Sequence, residues 1–278
     1  MLWKAVPFDM ITGENNSLIK KYRKLKSKKW RQEYQLVPLE GSLLIKEALH
    51  SGVKFDFVLY SADQEVINAN EDLLLEIHNQ QIPAYSVDPS LFQKTAFTET
   101  PQGILAVCTF NEGDLESLTS EKKDILILYQ VQDPGNMGTL IRSADAFGFQ
   151  GVVCSKGCVD PTNDKVVRSS MGSLFHIPVV MNSEIDQLFQ VLQREQYFIL
   201  FGDKSGSKPI MTIDLSNTAV ALFVGNESRG LQDLNFDQKF NQVRHQKVEI
   251  PMFGKAESLN AGIAGSIMMY ELSKKRFY

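Results

Sequence analysis

The chain has 278 residues, 43% of them hydrophobic and 22% charged, which excludes disordered, collagen-like and coiled-coil proteins and is typical of one large or two ordinary domains. It contains neither an apolar run long enough to span a bilayer nor a basic segment leading into an apolar signal, so we predict a cytoplasmic protein. The net charge of −4, taken alone, argues against a nucleic-acid partner.

The positive charge is concentrated near the N-terminus. Residues 17–31, SLIKKYRKLKSKKWR, include eight lysines and arginines and no acidic residue, and we predict a helix there. Such a segment is either an ordinary solvated helix face or a patch that contacts phosphates, and the sequence leaves both interpretations open. The candidate phosphate-contacting residues are Lys20, Lys21, Lys24, Lys28 and Arg31.

The first third of the chain alternates between predicted strands and helices. The predicted strands are residues 35–41, 54–61, 82–87 and 103–110, and the predicted helices are residues 42–49, 71–80 and 89–94. This pattern predicts a layered α/β domain. Residues 111–123, NEGDLESLTSEKK, are polar and lack apolar periodicity, which predicts a linker. We therefore predict domains at residues 1–115 and 116–278.

The second domain begins with DILILYQV (124–131), a nearly continuous apolar run that is typical of a buried parallel strand. Further strands are predicted at residues 151–155, 177–181, 197–202, 219–225 and 247–252, and helices at residues 138–147, 164–172, 184–195 and 258–274. Repeated β-then-α order predicts a doubly wound α/β fold with a parallel sheet.

Three glycine-containing segments follow predicted strands of this domain, at residues 133–148, 222–231 and 248–272. Ligands of open α/β sheets bind where parallel strands end, and glycine lets the main chain approach a ligand closely. Each segment also has an ordinary interpretation, as a surface turn or a tightly packed helix.

Several familiar site motifs do not occur in the sequence. GxGxxG, GxxxxGK[ST] and HExxH are missing, which argues against dinucleotide dehydrogenases, P-loop NTPases and zincins. Cys154 and Cys158 have no second cysteine pair, and the four histidines are scattered. We therefore predict no metal site, with core cysteines in a reducing compartment.

Taken together and in this order, the three segments resemble the motifs of the SpoU (TrmH) family of RNA ribose 2′-O-methyltransferases, within the SPOUT superfamily. The first motif, Asn-x-Gly-x-x-x-Arg, matches Asn136, Gly138 and Arg142. The second matches Gly225, Asn226, Glu227 and Gly230, and the third matches Pro251, Met252, Gly254, Ser258, Leu259 and Asn260. The first domain looks like the family's ribosomal-protein-like α/β/α substrate-binding domain.

The resemblance implies S-adenosyl-L-methionine as methyl donor, RNA as substrate, a homodimer and a C-terminal trefoil knot. It implies catalytic or orienting roles for Arg142, Asn136, Glu227, Ser258 and Asn260. It implies donor binding by Val224, Gly225, Gly230, Ile250, Met252, Ser258 and Leu259. Because arginine stays protonated in proteins, we interpret Arg142 as a clamp on a phosphate or on the developing alkoxide rather than as a base.

Other functions remain open at this point. The acceptor is ribosomal RNA or transfer RNA, with ribosomal RNA favoured by the first domain's resemblance to rRNA-modifying members. A base nitrogen is an alternative acceptor, as in other SPOUT branches. An RNA-binding protein with an inactive catalytic domain is a further alternative, and intact motifs argue against it.

Overall fold

The computed structural model describes residues 10–203, 208–215, 218–226, 231 and 243–277. The chain forms two compact units, residues 1–111 and 112–278. The division lies slightly before the predicted boundary at 115/116. Residues 111–123 are not a structureless linker, because helix α7 (Leu115–Ser120) lies within them and buries Leu115 and Leu118 in the core of the second unit.

The first unit has a four-stranded sheet with helices. The strands are β1 (Leu36–Glu40), β2 (Phe55–Ser61), β3 (Ala84–Val87) and β4 (Ile104–Thr109), in the order β1-β4-β2-β3. The helices are α1 (Ser17–Lys24), α2 (Lys28–Tyr34), α3 (Ser42–His50), α4 (Gln64–Ala69), α5 (Glu71–Asn79) and α6 (Pro89–Thr95). Strands β2 and β3 pair in parallel, whereas β4 is antiparallel to both β1 and β2.

The predicted helix over residues 17–31 is two helices. It breaks after Lys24, and α2 begins behind Ser27, whose extended backbone suits a helix N-cap. Tyr22 and Leu25 are fully buried with Phe57 and Leu59 of β2 in the core of this unit. The apolar residues of α1 therefore fix the segment against the sheet and leave its lysines outside.

The second unit is built on a seven-stranded sheet in which every pairing is parallel. Its strands are β5 (Ile125–Tyr129), β6 (Val152–Ser155), β7 (Val179–Ser183), β8 (Phe198–Gly202), β9 (Lys208–Pro209), β10 (Val220–Gly225) and β11 (His245–Glu249). Its helices are α7, α8 (Pro134–Ala146), α9 (Asp164–Ser170), α10 (Ile185–Arg194) and α11 (Ala261–Phe277). The prediction of a parallel α/β sheet is confirmed.

Helices cover both faces of this sheet. Ile125 and Ile127 of β5 pack in one cluster with residues of α7 and α10. On the opposite face, α11 lies so close to β10 that a Cβ on Gly265 would be 3.2 Å from a methyl group of Val224. This alternation follows from the period-two geometry of a strand, in which successive side chains point to opposite faces.

The strand order places a reversal between β5 and β10. The order is β7-β6-β5-β10-β8-β11-β9, so β6 and β7 lie on one side of β5 and the remaining strands lie on the other. In open α/β sheets a crevice forms at the carboxyl ends of the two strands where the order reverses. The topology therefore directs the search to residues that follow Tyr129 and Gly225.

The last helix is anchored at its far end. Arg276 donates from Nε and Nη2 to the two oxygens of Asp124, at 2.9 and 2.7 Å. Asp124 also accepts the main-chain N–H of Val220 at 2.8 Å. This carboxylate thus holds together the beginnings of β5 and β10 and the end of α11.

Candidate active site

A cavity of about 170 Å3 opens at the carboxyl ends of β5 and β10. It is lined by Val131, Gln132, Asp133, Asn136, Gly225, Asn226 and Ala261. A larger cavity, about 230 Å3, lies at the opposite end of β5 beside Lys123, Phe147 and Arg276. We take the smaller one as the candidate site, because it lies at the strand-order reversal and contains residues of the first and second motifs.

The beginning of α8 positions Asn136 in the cavity. Asp133 is the N-cap, and its Oδ1 accepts the main-chain N–H of Asn136 at 2.7 Å. Pro134 occupies the first turn, where a missing N–H costs nothing. Asn136 is only 8% exposed. The Asp-Pro pair after a strand is a sequence signal for this cap, and sequence reasoning did not select Asp133 as a site residue.

The first and third motifs meet through their asparagines. Asn260 Nδ2 donates to Asn136 Oδ1 at 2.8 Å. Asn260 also begins α11, since its main-chain oxygen accepts the N–H of Ala264 at 2.8 Å and its Oδ1 accepts that of Ile263 at 3.1 Å. The structure therefore brings together two predicted site residues that lie far apart in the chain.

Small residues let α11 approach α8 and β10 closely. A Cβ on Gly262 would lie 3.1 Å from Oδ1 of both Asn136 and Asn260. A Cβ on Gly265 would lie 2.3 Å from a methyl group of Leu140. The small residues of the third segment thus form a tight helix contact, and that contact holds Asn260 at the cavity.

The second motif supplies the cavity wall on the β10 side. Val224 is 5% exposed, and Gly225 and Asn226 line the cavity. Asn226 Nδ2 donates to the main-chain oxygen of Gln130, at 3.2 Å, which ties the end of β10 to the segment after β5. Sequence reasoning placed Asn226 in the motif without giving it a role. Glu227 and Gly230 lie outside the described residues.

The rest of the predicted donor-binding set lies between β11 and α11. Ile250 is half-buried, Met252, Ser258 and Leu259 are exposed, and none of the four lines the cavity. Strand β11 ends at Glu249, earlier than predicted, and Pro251 lies beyond it. This segment carries the fully exposed side chain of Phe253.

Arg142 is exposed on α8 and does not line the cavity. Among the residues that the structure describes, it forms no hydrogen bond or ion pair with another side chain. An exposed guanidinium without such a partner in the described part of the chain can donate to a bound anion.

The predicted RNA-binding lysines are accessible. Lys20, Lys24 and Lys28 are exposed, and Lys21 is about one-third exposed and paired with Asp56 at 2.7 Å. These four residues remain candidates for phosphate contacts.

The structure contradicts the prediction that Arg31, the fifth residue of this set, binds RNA. It is 3% exposed, and its Nη1 donates to the main-chain oxygens of Leu25 and Lys26, both at 2.9 Å. These carbonyls end α1 and lack helical partners, so the guanidinium satisfies them. Arg31 therefore stabilises the turn between the two helices and is unavailable to RNA.

The cysteines lie in or near the cores. Cys108 and Cys154 are buried, and Cys158 is half-buried and donates to the oxygen of Leu128 at 3.2 Å. A hydrogen bond with Cys154 lowers the pKa of Cys158. Within the described part of the chain, no group of three or more His, Cys, Asp or Glu side chains is arranged to hold a metal ion. The helices in that part are all too short or too polar to cross a membrane.

Two protein-family models match this chain, one in each of its two units. Residues 123–270 match the model of the SpoU rRNA Methylase family, and residues 16–106 match that of the MRM3-like substrate binding domain. A 23S rRNA (guanosine(2553)-2'-O)-methyltransferase of Bacillus subtilis, RlmP, is 34% identical over 94% of this chain and 98% of its own length.

Two solved structures have similar folds over nearly the whole chain. An AdoMet-bound rRNA methyltransferase from Sinorhizobium meliloti superposes with a TM-score of 0.82 at 26% identity, over 97% of this chain and 98% of that one. The SpoU methyltransferase AviRb from Streptomyces viridochromogenes, in complex with AdoMet, gives a TM-score of 0.79 at 25% identity, over 94% and 99%.

Proposed function

The chain belongs to the SpoU rRNA methylase family, and from this membership we propose that it transfers a methyl group from S-adenosyl-L-methionine to a ribose 2′-hydroxyl of ribosomal RNA. The observation that carries the proposal is the hydrogen bond between Asn136 and Asn260, which joins the first and third motifs at a cavity bordered by Gly225 of the second. The acceptor assignment draws support from RlmP, whose name specifies a ribose of 23S rRNA.

The cavity has the chemical character that the methyl donor requires. S-adenosyl-L-methionine combines an aromatic base with ribose hydroxyls and a charged amino-acid group, and it supplies the methyl group when bound. Gln132, Asn136 and Asn226 offer amide donors and acceptors, whereas Val131 and Ala261 offer apolar surface. At Gly225 the main chain is uncovered by a side chain, which permits close approach. We propose that these residues, with Val224 below them, hold the donor.

The residues between β11 and α11 complete the proposed site. Ile250, Met252, Ser258 and Leu259 lie on a segment whose two ends are fixed by β11 and by Asn260. We propose that this segment covers the bound donor, with Ser258 beside the acceptor. Glu227 and Gly230 are included in the proposal on the family motif alone.

Arg142 would hold the substrate rather than remove its proton. A guanidinium is an obligate donor, so it stabilises a phosphate or the negative charge that develops on the ribose oxygen. Methyl transfer needs the ribose oxygen aligned behind the methyl group, and positioning of this kind accounts for much of an enzyme's rate enhancement. We propose that Asn136 and Asn260 fix the cavity against which that alignment is made.

Arg142→Ala tests this assignment. We expect loss of methyl transfer to ribosomal RNA, with the donor affinity measured by calorimetry retained, because Arg142 does not line the cavity. The matched control is Arg194→Ala, which removes another exposed arginine, on α10 and paired with Glu116. Normal turnover of the Arg142 variant would contradict the proposal, and mass spectrometry of nuclease digests distinguishes a methylated sugar from a methylated base.

We also propose a homodimer that uses α11. Ile263 and Tyr270 are 52% and 51% exposed and lie two helical turns apart, so they share one face of that helix. Large apolar side chains exposed together on a helix are typical of an interface. Light scattering should give twice the chain mass, and Ile263→Glu should give the monomer.

Two finer features rest on family membership. We propose that the C-terminal part of the chain forms a trefoil knot, which a crystal structure of the protein would test. We propose a cytoplasmic location, because the relative RlmP is a bacterial rRNA methyltransferase.

A further inference from the structure

Two aromatic side chains of α2 stack on each other. The rings of Trp30 and Tyr34 have centroids 5.4 Å apart and planes 25° apart. They are four residues apart and therefore neighbours on one helix face. Tyr34 is 36% exposed and Trp30 is partly buried against the core of the first unit, so the packing that holds Trp30 also orients the pair.

Lysines surround this aromatic pair. The Nζ atoms of Lys24 and Lys29 lie 4.7 and 5.3 Å from the ring centroid of Trp30, and that of Lys21 lies 6.0 Å from the centroid of Tyr34. We call these five residues the lysine–aromatic patch. Its cations come from the segment 17–31, which contains no acidic residue.

The patch has the chemistry of a site for an unpaired nucleotide. Aromatic rings stack on bases of any sequence, and neighbouring cations contact the phosphates on either side of the base. A base in an A-form duplex is stacked within the helix and hidden from such a ring. An acidic protein segment would satisfy the lysines but would leave the stacked rings without a planar partner.

We propose that the lysine–aromatic patch stacks an unpaired base of the RNA substrate on the Trp30–Tyr34 pair, while Lys21, Lys24 and Lys29 contact the adjacent phosphates. This inference rests on the proposed function for the identity of the RNA. The stacked base takes the place of a lysine ammonium over the ring, because stacking is stronger than an exposed cation–π contact. The released ammonium then contacts a phosphate. The substrate is therefore RNA with a loop, bulge or single-stranded segment.

The fluorescence of Trp30 can report the stacking of a base on its ring. The chain has two tryptophans, so Trp3→Phe in the full-length protein leaves the fluorescence of Trp30 alone. A single-stranded oligoribonucleotide should quench this fluorescence saturably. Inorganic polyphosphate should compete for the lysines without quenching, and a blunt duplex of the same sequence should quench less. Equal quenching by duplex and single strand, or quenching by polyphosphate, would overturn the proposal.

Variants separate stacking from charge. Tyr34→Ala and Trp30→Ala should each weaken single-strand binding about tenfold while leaving its salt dependence unchanged, because no cation is lost. Trp30→Phe keeps a ring at the partly buried position and should retain most of the affinity. Lys24→Gln should instead flatten the salt dependence. Leu43→Ala, which truncates a 53% exposed side chain on α3, is the matched control and should change neither property.

The outcomes distinguish this inference from the proposed function. Saturable quenching by single-stranded RNA without methyl transfer would support the patch and contradict the proposed function. Two results together would contradict the inference and leave the proposed function supported. They are an unchanged KM for RNA in Tyr34→Ala and Trp30→Ala, and no quenching of Trp30 by single-stranded RNA in the Trp3→Phe protein. Quenching by polyglutamate but not by RNA would mark the patch as a protein-binding site and would also overturn the inference.

Discussion

Gly138 of the first motif stands where α8 meets α9, and its replacement by alanine should loosen that contact. A Cβ there would lie 1.9 Å from Ser169 Oγ, 2.7 Å from Ser169 Cβ and 2.8 Å from the main-chain oxygen of Val166. Real Cβ atoms essentially never approach another heavy atom this closely, so the helices must separate. Rotation of Ser169 gives no full relief, because its own Cβ and a backbone atom are among the clashing groups.

Two opposing effects decide the magnitude. Alanine is favoured over glycine in a helix interior by about 1 kcal/mol. Overpacking lowers the stability by about 1–3 kcal/mol. Displacement of Ser169 also weakens its 3.1 Å hydrogen bond to the main-chain oxygen of Pro134, which contributes about 1 kcal/mol. We therefore expect Gly138→Ala to lower the free energy of unfolding by about 1–3 kcal/mol, as measured by urea denaturation.

Two comparisons test the reasoning. Ser169→Gly in the Gly138→Ala background should recover part of the loss, because it removes the two atoms of Ser169 among the three nearest to the added Cβ. Gly262→Ala, whose nearest contacts would be 3.1 Å, should change stability little, since the helix-propensity gain offsets the milder crowding. If Gly138→Ala is as stable as the wild type, the close approach of α8 and α9 is not what requires glycine in this motif.

Three further outcomes are expected. Arg276→Ala should lower the free energy of unfolding by about 2 kcal/mol, because it leaves the partly buried carboxylate of Asp124 without its cation; a thermal or urea titration measures this. Arg31→Ala should destabilise the first unit by about 2–3 kcal/mol through two unpaired carbonyls, and Arg31→Lys should restore little; unchanged melting would contradict this. Cys158 should react with iodoacetamide faster than Cys108, because the pKa of Cys158 is lowered whereas burial raises the pKa of Cys108. Mass spectrometry of the labelled protein measures the two rates, and faster labelling of Cys108 would contradict this expectation.

The hydrophobic pattern of the sequence predicts most strands of the second unit. The run ILILY is buried at every position, and such a run identifies a parallel strand covered on both faces. The strand order, and with it the position of the cavity, depends on pairings between distant segments that no local pattern encodes. The hydrogen bond between Asn136 and Asn260 belongs to this class, although both residues were selected from motifs.

Helices α7 and α4 and the role of Arg31 were not predicted from the sequence, and each case has a local physical reason. Helix α7 was missed because its apolar residues, Leu115 and Leu118, form less than one full periodic stripe among polar neighbours. Helix α4 was missed because none of its residues is buried, so it lacks the apolar stripe of an amphipathic helix. Arg31 was misassigned because composition cannot distinguish a cation that faces solvent from one that caps a neighbouring helix.

The pairing of Asn136 with Asn260 has a consequence for biosynthesis. A ribosome makes the chain from its N-terminus, and the two partners are 124 positions apart in the sequence. Until α11 has emerged, one half of the amide pair is missing and the cavity lacks the wall that Ala261 provides. The first unit needs no residue of that helix for its core, and it is complete much earlier. We therefore expect the nascent chain to gain affinity for RNA before it gains affinity for the methyl donor.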